Sequence, residues 1–573
     1  MKNLNRLSLI YLGALGLLLT NACTDKYDLY NTNPAIITAD LVNIDLLLTY
    51  VETGIPASAG YGNSGDYGSY SGMAKRDDDN SFTEADAPGE WDFEYTSQIN
   101  NLSNIIHLID GMENKDELVN KTAVARILKA WSVSKLTDTY GDVPYFESSL
   151  PQAEAVLQPK YDTQESIYTD LFKELEEAAA QLDESKESYG SADLVYGGDV
   201  TKWRKLANSL RLRMALRVRY VNPAMATAQL SDLTEAGLIT SLSDDAKVLN
   251  NTDFIEHTNP RYYRIINYGT TQESVNTHQT MINILKNDSV HMDPRIRIYA
   301  DTVKATWKGG LSPNGYFFPA YEYRGSPTLA IASDIYKYPW GSNTVSAIAD
   351  FWRVPVVAPA VMKASEVYFA LAEAKLYGLL PASFSGTANS YYQKGIDAAI
   401  EWAKWFYDLT APQIPALMID YIHNPEYSAG AQWTQSDVDQ YLDYKKIKDA
   451  EIAAFKATPI YTLSGSQEQQ LEMIINQKIV ALYPDEFQGW NEYRRTGYPR
   501  VAIANDNSSA LKGKVPRRQP WPTREEQING ASYPEALARY GTDSKLTKMW
   551  WDANPASPHS SDFVFPTMPT PYQ

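Results

Sequence analysis

The chain has 573 residues, a formal net charge of −19 and one cysteine, Cys23. This excess of acids argues against nucleic acid or anionic lipid as a partner, because both attract positively charged surfaces. A lone cysteine excludes a disulfide within the chain, and the length allows a large core or several domains. Tyrosine and tryptophan are abundant (40 and 13 residues, against 15 Phe), and their mixed apolar and polar character suits amphipathic ligands.

The N-terminal segment is typical of an exported protein. Lys2 and Arg6 precede an apolar run from Leu7 to Leu19, which is 13 residues long. A bilayer span needs roughly 20 apolar residues, so the run fits the core of a secretory signal instead. Cys23 follows and resembles the acylated cysteine of a bacterial lipobox, with Thr20 where leucine is usual. We predict residues 1–22 as a signal peptide and 23–35 as a lipidated linker; a plain secretory signal is the alternative.

Two local motifs are incomplete. Residues 60–65 match G-x-G-x-x-G, but a dinucleotide site needs a strand before the motif and a helix after it, and more glycine follows here. Residues 77–80 resemble the start of a calcium loop, but Phe82 and Pro88 replace the required glycine and glutamate. We interpret both as loops and predict no cofactor, since a structural calcium ion has no motif to support it.

Apolar residues then recur at helical spacing in three stretches. The first runs through residues 124–131 and ends before the glycine and proline of residues 141–144. The second follows residues 162–165, which fit a capping box. The third follows Asp199, a predicted N-cap, and includes Trp203. We expect Trp203, like Trp131 in the first stretch, to be core.

The third predicted helix also carries six basic residues. They could form an anion site or pair with neighbouring carboxylates, and an acidic protein favours pairing. Two acids on a later predicted helix, Glu366 and Glu373, lie seven residues apart, and we expect them to pair with a basic helix. The six basic residues are Arg204, Lys205, Arg211, Arg213, Arg217 and Arg219.

Catalytic motifs are absent from the sequence. None of the six histidines forms an H-x-x-x-H pair, and neither a G-x-S-x-G nor a Walker A motif occurs. Glu90, Asp92 and Glu94 surround Trp91, but carboxylates beside an aromatic ring in an acidic protein are usually surface residues. We predict that the protein is not an enzyme.

Short motifs are distributed along nearly the whole chain after Cys23. They lie at residues 125–126, 140–144, 161–165, 197–199, 202–203, 207–211, 359–362, 366–369, 372–374, 477–478, 490, 494–499, 516–518, 521–522, 525, 529, 533 and 550–552. In this order they resemble motifs of the SusD/RagB outer-membrane lipoproteins of Bacteroidetes, and the acidic residues after Cys23 are similar to that family's surface-export signal.

The resemblance implies a mostly all-α fold, in which TPR-like helical pairs carry a loop-rich irregular subdomain with short strands. It implies a single SusD-like domain over residues 36–573. The helices are expected mainly at 97–240, 360–410 and 468–492. The loop-rich part is expected mainly at 250–358 and 500–573; residues 250–358 lack a helical period, and residues 316–318 could form a hairpin strand.

The resemblance also implies a function. A lipid-anchored protein of this family captures an oligosaccharide, or in some members a peptide, at the cell surface. It delivers the ligand to a SusC-like TonB-dependent transporter, on which it sits as a lid. A surface glycan hydrolase and a purely structural lipoprotein are the alternatives.

The candidate ligand-binding residues are aromatic or basic side chains in predicted loops, because such rings stack on sugar faces. Each could instead be a buried loop anchor. They are Arg76, Trp91, Trp307, Tyr321, Tyr323 and Trp340.

The anchor is testable by substitution. Cys23→Ala should leave the fold intact and release the protein from membranes, because every acyl chain depends on the Cys23 sulfur or on the N-terminus that it exposes. Membrane fractionation, with circular dichroism as the control for folding, checks this. An alanine variant that stays membrane-bound through an alkaline wash would contradict the prediction.

Overall fold

A computed structural model describes most of the chain. The described residues are 42–56, 65–76, 86–148, 150, 154–268, 275–287, 291–303, 310–311, 317–318, 322–328, 345–422, 433–503 and 510–559. In them, no helix combines the length and the apolar character needed to cross a membrane.

Helices dominate the first half of the described residues. A π-helical turn, Glu94–Ile99, joins the helix Pro88–Phe93 to the helix Asn100–Asp110. The helices of this half are α1 (Ile44–Thr53), α2 (Gly65–Ser71), α3 (Pro88–Phe93), α4 (Asn100–Asp110), α5 (Val119–Tyr140), α6 (Gln164–Gln181), α7 (Val200–Val218), α8 (Pro223–Leu230), α9 (Pro260–Tyr268), α10 (Gln279–Lys286) and α11 (Ile296–Tyr299).

The second half is also mainly helical, and its long helices precede residue 497. They are α12 (Ala364–Leu376), α13 (Ala388–Thr410), α14 (Gln435–Lys445), α15 (Asp449–Lys456), α16 (Gln467–Leu482) and α17 (Glu486–Thr496), followed by the short α18 (Glu525–Ile528) and α19 (Tyr533–Tyr540).

Strands are short and form two-stranded antiparallel sheets. The pairs are β1 (Ala74–Arg76) with β5 (Val275–Thr277), β2 (Val143–Pro144) with β3 (Tyr161–Asp162), β4 (Ala246–Lys247) with β8 (Ala360–Met362), and β6 (Gly310–Leu311) with β7 (Phe317–Phe318).

Consecutive helices pack together, which confirms the predicted helical pairs. Helices α5 to α8 pack each on the next, and α12 packs on both α13 and α16. The buried Trp131 and Trp203 lie in this core, as expected. The predicted hairpin strand near residue 317 is confirmed by β6 and β7. One expectation is wrong: residues 250–358 do have helical segments, α9 to α11.

The predicted helix ends are confirmed with one shift. Helix α5 ends at Tyr140, and Asp199 caps α7 by accepting hydrogen bonds from two backbone amides. The cap of α6, however, is Thr163, which accepts from the Ser166 amide, so the predicted capping box at residues 162–165 is wrong. The Asp162 carboxylate instead accepts from the backbone amides of Tyr145 and Phe146, each at 2.9 Å.

The turn after α5 shows why its motif has this sequence. Gly141 has φ +81°, and a Cβ there would lie 2.3 Å from the Tyr540 hydroxyl, so only glycine fits. The next residue, Asp142, accepts hydrogen bonds from the Gln164 amide at 2.9 Å and from the Arg539 guanidinium at 2.6 Å. This turn therefore ties α5 to α6 and to α19.

Ion pairs that are largely buried hold α7 in place. The Arg213 guanidinium donates to Glu366 at 2.7 Å, Arg219 donates to Glu373 at 2.8 Å, and Arg217 pairs with Asp138 of α5. These pairs confirm the expectation that the basic helix pairs with carboxylates, including Glu366 and Glu373. Arg204, Lys205 and Arg211 also pair, with Glu184, Asp244 and Asp232.

A second arginine reaches Glu373 from α17. Arg495 binds both oxygens of the Glu373 carboxylate and also pairs with Glu492, which in turn accepts from Lys478 at 2.9 Å. Burial alone would raise the pKa of Glu373, but Arg495 and Arg219 hold it below its ordinary value. This buried charge network connects α7, α12, α16 and α17.

The network gives a stability prediction. Glu373→Gln removes the charge that Arg219 and Arg495 share, and breaking a buried pair from one side costs about 3–5 kcal/mol. We expect a loss of that size in the free energy of unfolding, measured by denaturant titration. Asp110→Asn is the control, because the Lys115–Asp110 pair is exposed and should contribute no measurable stability. Equal stability of the two variants would contradict the prediction.

Candidate ligand-binding site

The structure describes three of the seven residues predicted from sequence for ligand binding or lipidation. Cys23, Trp307, Tyr321 and Trp340 lie outside the described residues. Arg76 is the last residue of β1, where it is the register partner of Val275. Strand β1 therefore attaches the segment before α3 to the loop-rich part of the chain.

Trp91 lies on α3 and not in a loop, so its predicted position is wrong. Only 5% of its surface is exposed. The centroid of its ring lies 5.0 Å from that of Tyr95 and 5.1 Å from that of Tyr140, which it meets edge-on. The ring has little face left for a ligand in this arrangement, and a direct ligand contact by Trp91 stays a prediction.

The acids around Trp91 are mostly paired. Glu94 is fully buried and accepts from Lys135 at 3.0 Å, so the expectation that it is a surface residue is wrong. Asp92 pairs with Arg524 at the surface, and Glu90 accepts from Tyr67. Each of these carboxylates therefore has a partner that holds it in place.

Tyr323 reaches a mixed aromatic and charged cluster. It is 1% exposed, and its hydroxyl accepts a hydrogen bond from the hydroxyl of Tyr444, at the end of α14, at 2.9 Å. Tyr444 is a partly exposed residue, and the Arg297 guanidinium stacks on one face of its ring with 4.6 Å between the guanidinium carbon and the ring centroid. Arg297 also donates to Glu451 of α15 at 2.6 Å. We call Tyr323, Tyr444, Arg297 and Glu451 the Tyr444 cluster.

Buried groups beneath the cluster fix α14. The Tyr441 hydroxyl donates to Asp301 at 2.8 Å, and the Lys445 ammonium donates to the Ala300 carbonyl at 2.6 Å. The partly exposed ring of Trp433 lies 6.0 Å from the ring of Tyr441. Burial, together with Asp301, raises the pKa of Tyr441 well above its ordinary value, so the hydroxyl stays a neutral donor.

The Tyr444 cluster has the chemistry of a sugar-binding surface. It places a partly exposed ring next to a guanidinium donor and a carboxylate acceptor, and Arg297 and Glu451 are 21% and 31% exposed. Burial raises the pKa of Tyr323 well above its ordinary value, which keeps this hydroxyl neutral as well. Within the described ranges, no group of three or more metal-ligating side chains is placed to hold a metal ion.

Sequence reasoning missed Arg297, Trp433 and Tyr444. They lie on or next to α11 and α14, two helices that are far apart in the chain and that pack together in the fold. Only the aromatic character of residues 433–444 was visible in the sequence. Tyr323 was predicted from its loop, and the structure brings it to Tyr444.

Comparison with known proteins places the chain in a family. A sequence model of the SusD-like family, described as starch-binding and associating with the outer membrane, matches residues 70–522. Among solved structures, a chitin-binding protein shares 26% identity and a TM-score of 0.67, covering 89% of this chain and 100% of its own. No curated protein matches the chain significantly.

Two further solved structures share the fold. A chitin-binding SusD homologue from Flavobacterium johnsoniae is 24% identical, with a TM-score of 0.64 over 89% of this chain and 99% of its own. A SusD homologue from Bacteroides uniformis is also 24% identical, with a TM-score of 0.62 over 89% and 98%. The mostly helical fold agrees with these structures, and the family model covers most of the chain. The chain belongs to the SusD-like family, whose members are non-catalytic, nutrient-binding proteins of the outer membrane.

Proposed function

We propose that the protein binds a neutral oligosaccharide at the cell surface and delivers it to a SusC-like TonB-dependent transporter, on which it acts as a lid. The observation that carries the proposal is the match to the SusD-like family over residues 70–522. The likeness to a chitin-binding protein at 26% identity supports a glycan as the ligand.

The Tyr444 cluster is the proposed centre of the ligand site. Its partly exposed ring can stack on the apolar face of a sugar, and Arg297 and Glu451 can hydrogen-bond the hydroxyls. Arg76, Trp307, Tyr321 and Trp340 remain proposed contacts. Because Tyr323 is buried, we assign it the role of holding the Tyr444 hydroxyl.

We also infer how the protein is attached and organised. Residues 1–22 are proposed as the signal peptide, Cys23 as the lipidated residue, and 36–573 as one SusD-like domain. An outer-membrane family supports an anchor of this kind.

Substitution of Tyr444 tests the site. Tyr444→Ala should weaken binding of chitohexaose or maltohexaose by about 2 kcal/mol, roughly thirtyfold, because it removes the stacking ring. Calorimetry on folded protein measures this. Tyr50→Ala is the matched control, because Tyr50 is 55% exposed on α1, which contributes no residue to the cluster.

The outcomes separate the alternatives. Equal affinity of the Tyr444→Ala and wild-type proteins would show that the ligand-binding site does not include Tyr444. If the protein binds members of a peptide panel and no glycan, its ligand is a peptide. Turnover of either hexasaccharide would favour the hydrolase alternative.

Purification from membranes tests the transporter. The family associates with the outer membrane, where a transporter partner would also lie. We expect affinity purification from gently solubilised membranes of the native organism to recover a TonB-dependent transporter in a near one-to-one ratio. The interface should exceed roughly 2,000 Å², as in permanent complexes.

The anchor needs its own control in this experiment. Residues 1–35 fused to an unrelated soluble domain carry the same lipid and should recover no transporter. Elution of the full-length protein alone, with no transporter cross-linked to it, would refute delivery and leave free-standing capture.

A further inference from the structure

A surface cavity has a lining that includes no residue of the Tyr444 cluster. It has a volume of about 400 Å³ and opens between α13, α15 and the segment at Leu242. Its apolar lining includes Ile400 and Trp405 of α13 and Ile452 of α15. We call this cavity the Trp405 pocket.

The lining of the Trp405 pocket follows one face of α13. Asp397, Glu401 and Trp405 are spaced four residues apart, so they lie one above another along the helix. Asp408, three residues beyond Trp405, continues the same stripe. A partly exposed tryptophan thus lies between carboxylates that are separated by about one helical turn each.

Three carboxylates, Asp397, Glu401 and Asp408, and two ammonium groups, Lys404 and Lys456, line the pocket, and Lys404 pairs with Asp449 at 3.0 Å. Asp397 is held by Lys456 at 2.8 Å and by the Tyr461 hydroxyl at 3.0 Å. Lys247 lies 5.2 Å from the centroid of the Trp405 ring. Glu401 and Asp408 are exposed and make no ion pair with any residue that the structure describes.

Such a lining fits a neutral polyol. An aromatic face with exposed carboxylate acceptors on either side can bind a sugar ring by stacking and by accepting from its hydroxyls. An anionic sugar would meet Glu401 and Asp408 as like charges, and a purely apolar ligand would leave them desolvated and unpaired.

Helix α15 connects the two sites. Glu451 of α15 pairs with Arg297 in the Tyr444 cluster, and the next residue, Ile452, lines the Trp405 pocket. Adjacent helical residues project about 100° apart around the axis, so an oligosaccharide that reaches both sites has to pass around α15, which only a long chain can do.

We propose that the Trp405 pocket is a second sugar-binding site, which takes one ring of the same neutral oligosaccharide that the Tyr444 cluster binds. This inference rests on the glycan-binding function proposed above. Engagement of two linked sites raises the apparent affinity for long chains without any new contact, because the second contact is intramolecular. The pocket therefore gives the protein a preference for longer chains.

The test uses chitohexaose and maltohexaose as probes, with chitobiose and maltose as their short counterparts. The variant Glu401→Gln/Asp408→Asn should weaken hexasaccharide binding about tenfold, because two charge-assisted hydrogen bonds become neutral ones. Glu113→Gln, an exposed acid in the loop after α4, is the matched control and should bind as wild type does. Calorimetry gives both affinity and stoichiometry.

Two further variants complete the design. Trp405→Ala should remove most of the preference for the hexasaccharide over the disaccharide. Trp405 packs near Trp402, so this variant could fail to fold, and in that case the polar double variant tests the pocket instead. In the Tyr444→Ala background, the double variant should abolish the residual hexasaccharide binding, and Glu113→Gln should not.

If the double variant binds both hexasaccharides with the same affinity as the wild-type protein, the second site is overturned and the proposed function stands. Failure of the wild-type protein to bind any of the four probes would instead count against the glycan function, and the second site would fall with it. A tenfold loss confined to the long probes supports the proposal.

Discussion

The carboxylate of Glu373 is the constraint on which the rest of the scaffold depends. It is fully buried and lies between Arg219 of α7 and Arg495 of α17. A buried charge is tolerated only when its partners are in place, because desolvation costs several kcal/mol per ion. Helices α7, α12 and α17 must therefore meet in one arrangement. Hydrophobic stripes alone would allow these helices to slide, whereas the ion pairs specify their register.

The motifs that identify the family are mainly structural. Gly141 and Asp142 form the turn that joins α5, α6 and α19. Arg517 binds Asp552 at 2.6 Å, and Trp521 donates to the Asp142 carbonyl at 2.9 Å. These side chains hold distant segments together in the interior, where they cannot touch a ligand. The motifs therefore establish the family and the fold, and they leave the choice of ligand to other residues.

This division explains what could be predicted from sequence. Helix periods and caps are local, so α5, α6 and α7 were found, with an error of one residue at Thr163, where the hydroxyl competes with the neighbouring Asp162. The pairing of the basic helix followed from composition, since an acidic protein offers partners. The Tyr444 cluster could not be found, because Arg297, Tyr323 and Tyr444 converge from three distant segments. Trp91 was misplaced because Pro88 and Gly89 at the start of α3 and the π-helical turn after it interrupt the regular helical period.

The charge distribution supports the proposed class of ligand. The whole chain carries −19, so its long-range field repels anionic polymers and does not steer a neutral one. At the Tyr444 cluster the one guanidinium is matched by Glu451, and in the Trp405 pocket Lys456 pairs with Asp397. A surface with such local ion pairs within an acidic body favours uncharged hydroxyl-rich ligands, which gain from stacking and hydrogen bonds and lose nothing to the field. In the proposed sites, selectivity among neutral glycans depends on the spacing of the rings of Tyr444 and Trp405. That spacing can change by substitution around α13 to α15 without disturbing the buried charges that hold the scaffold.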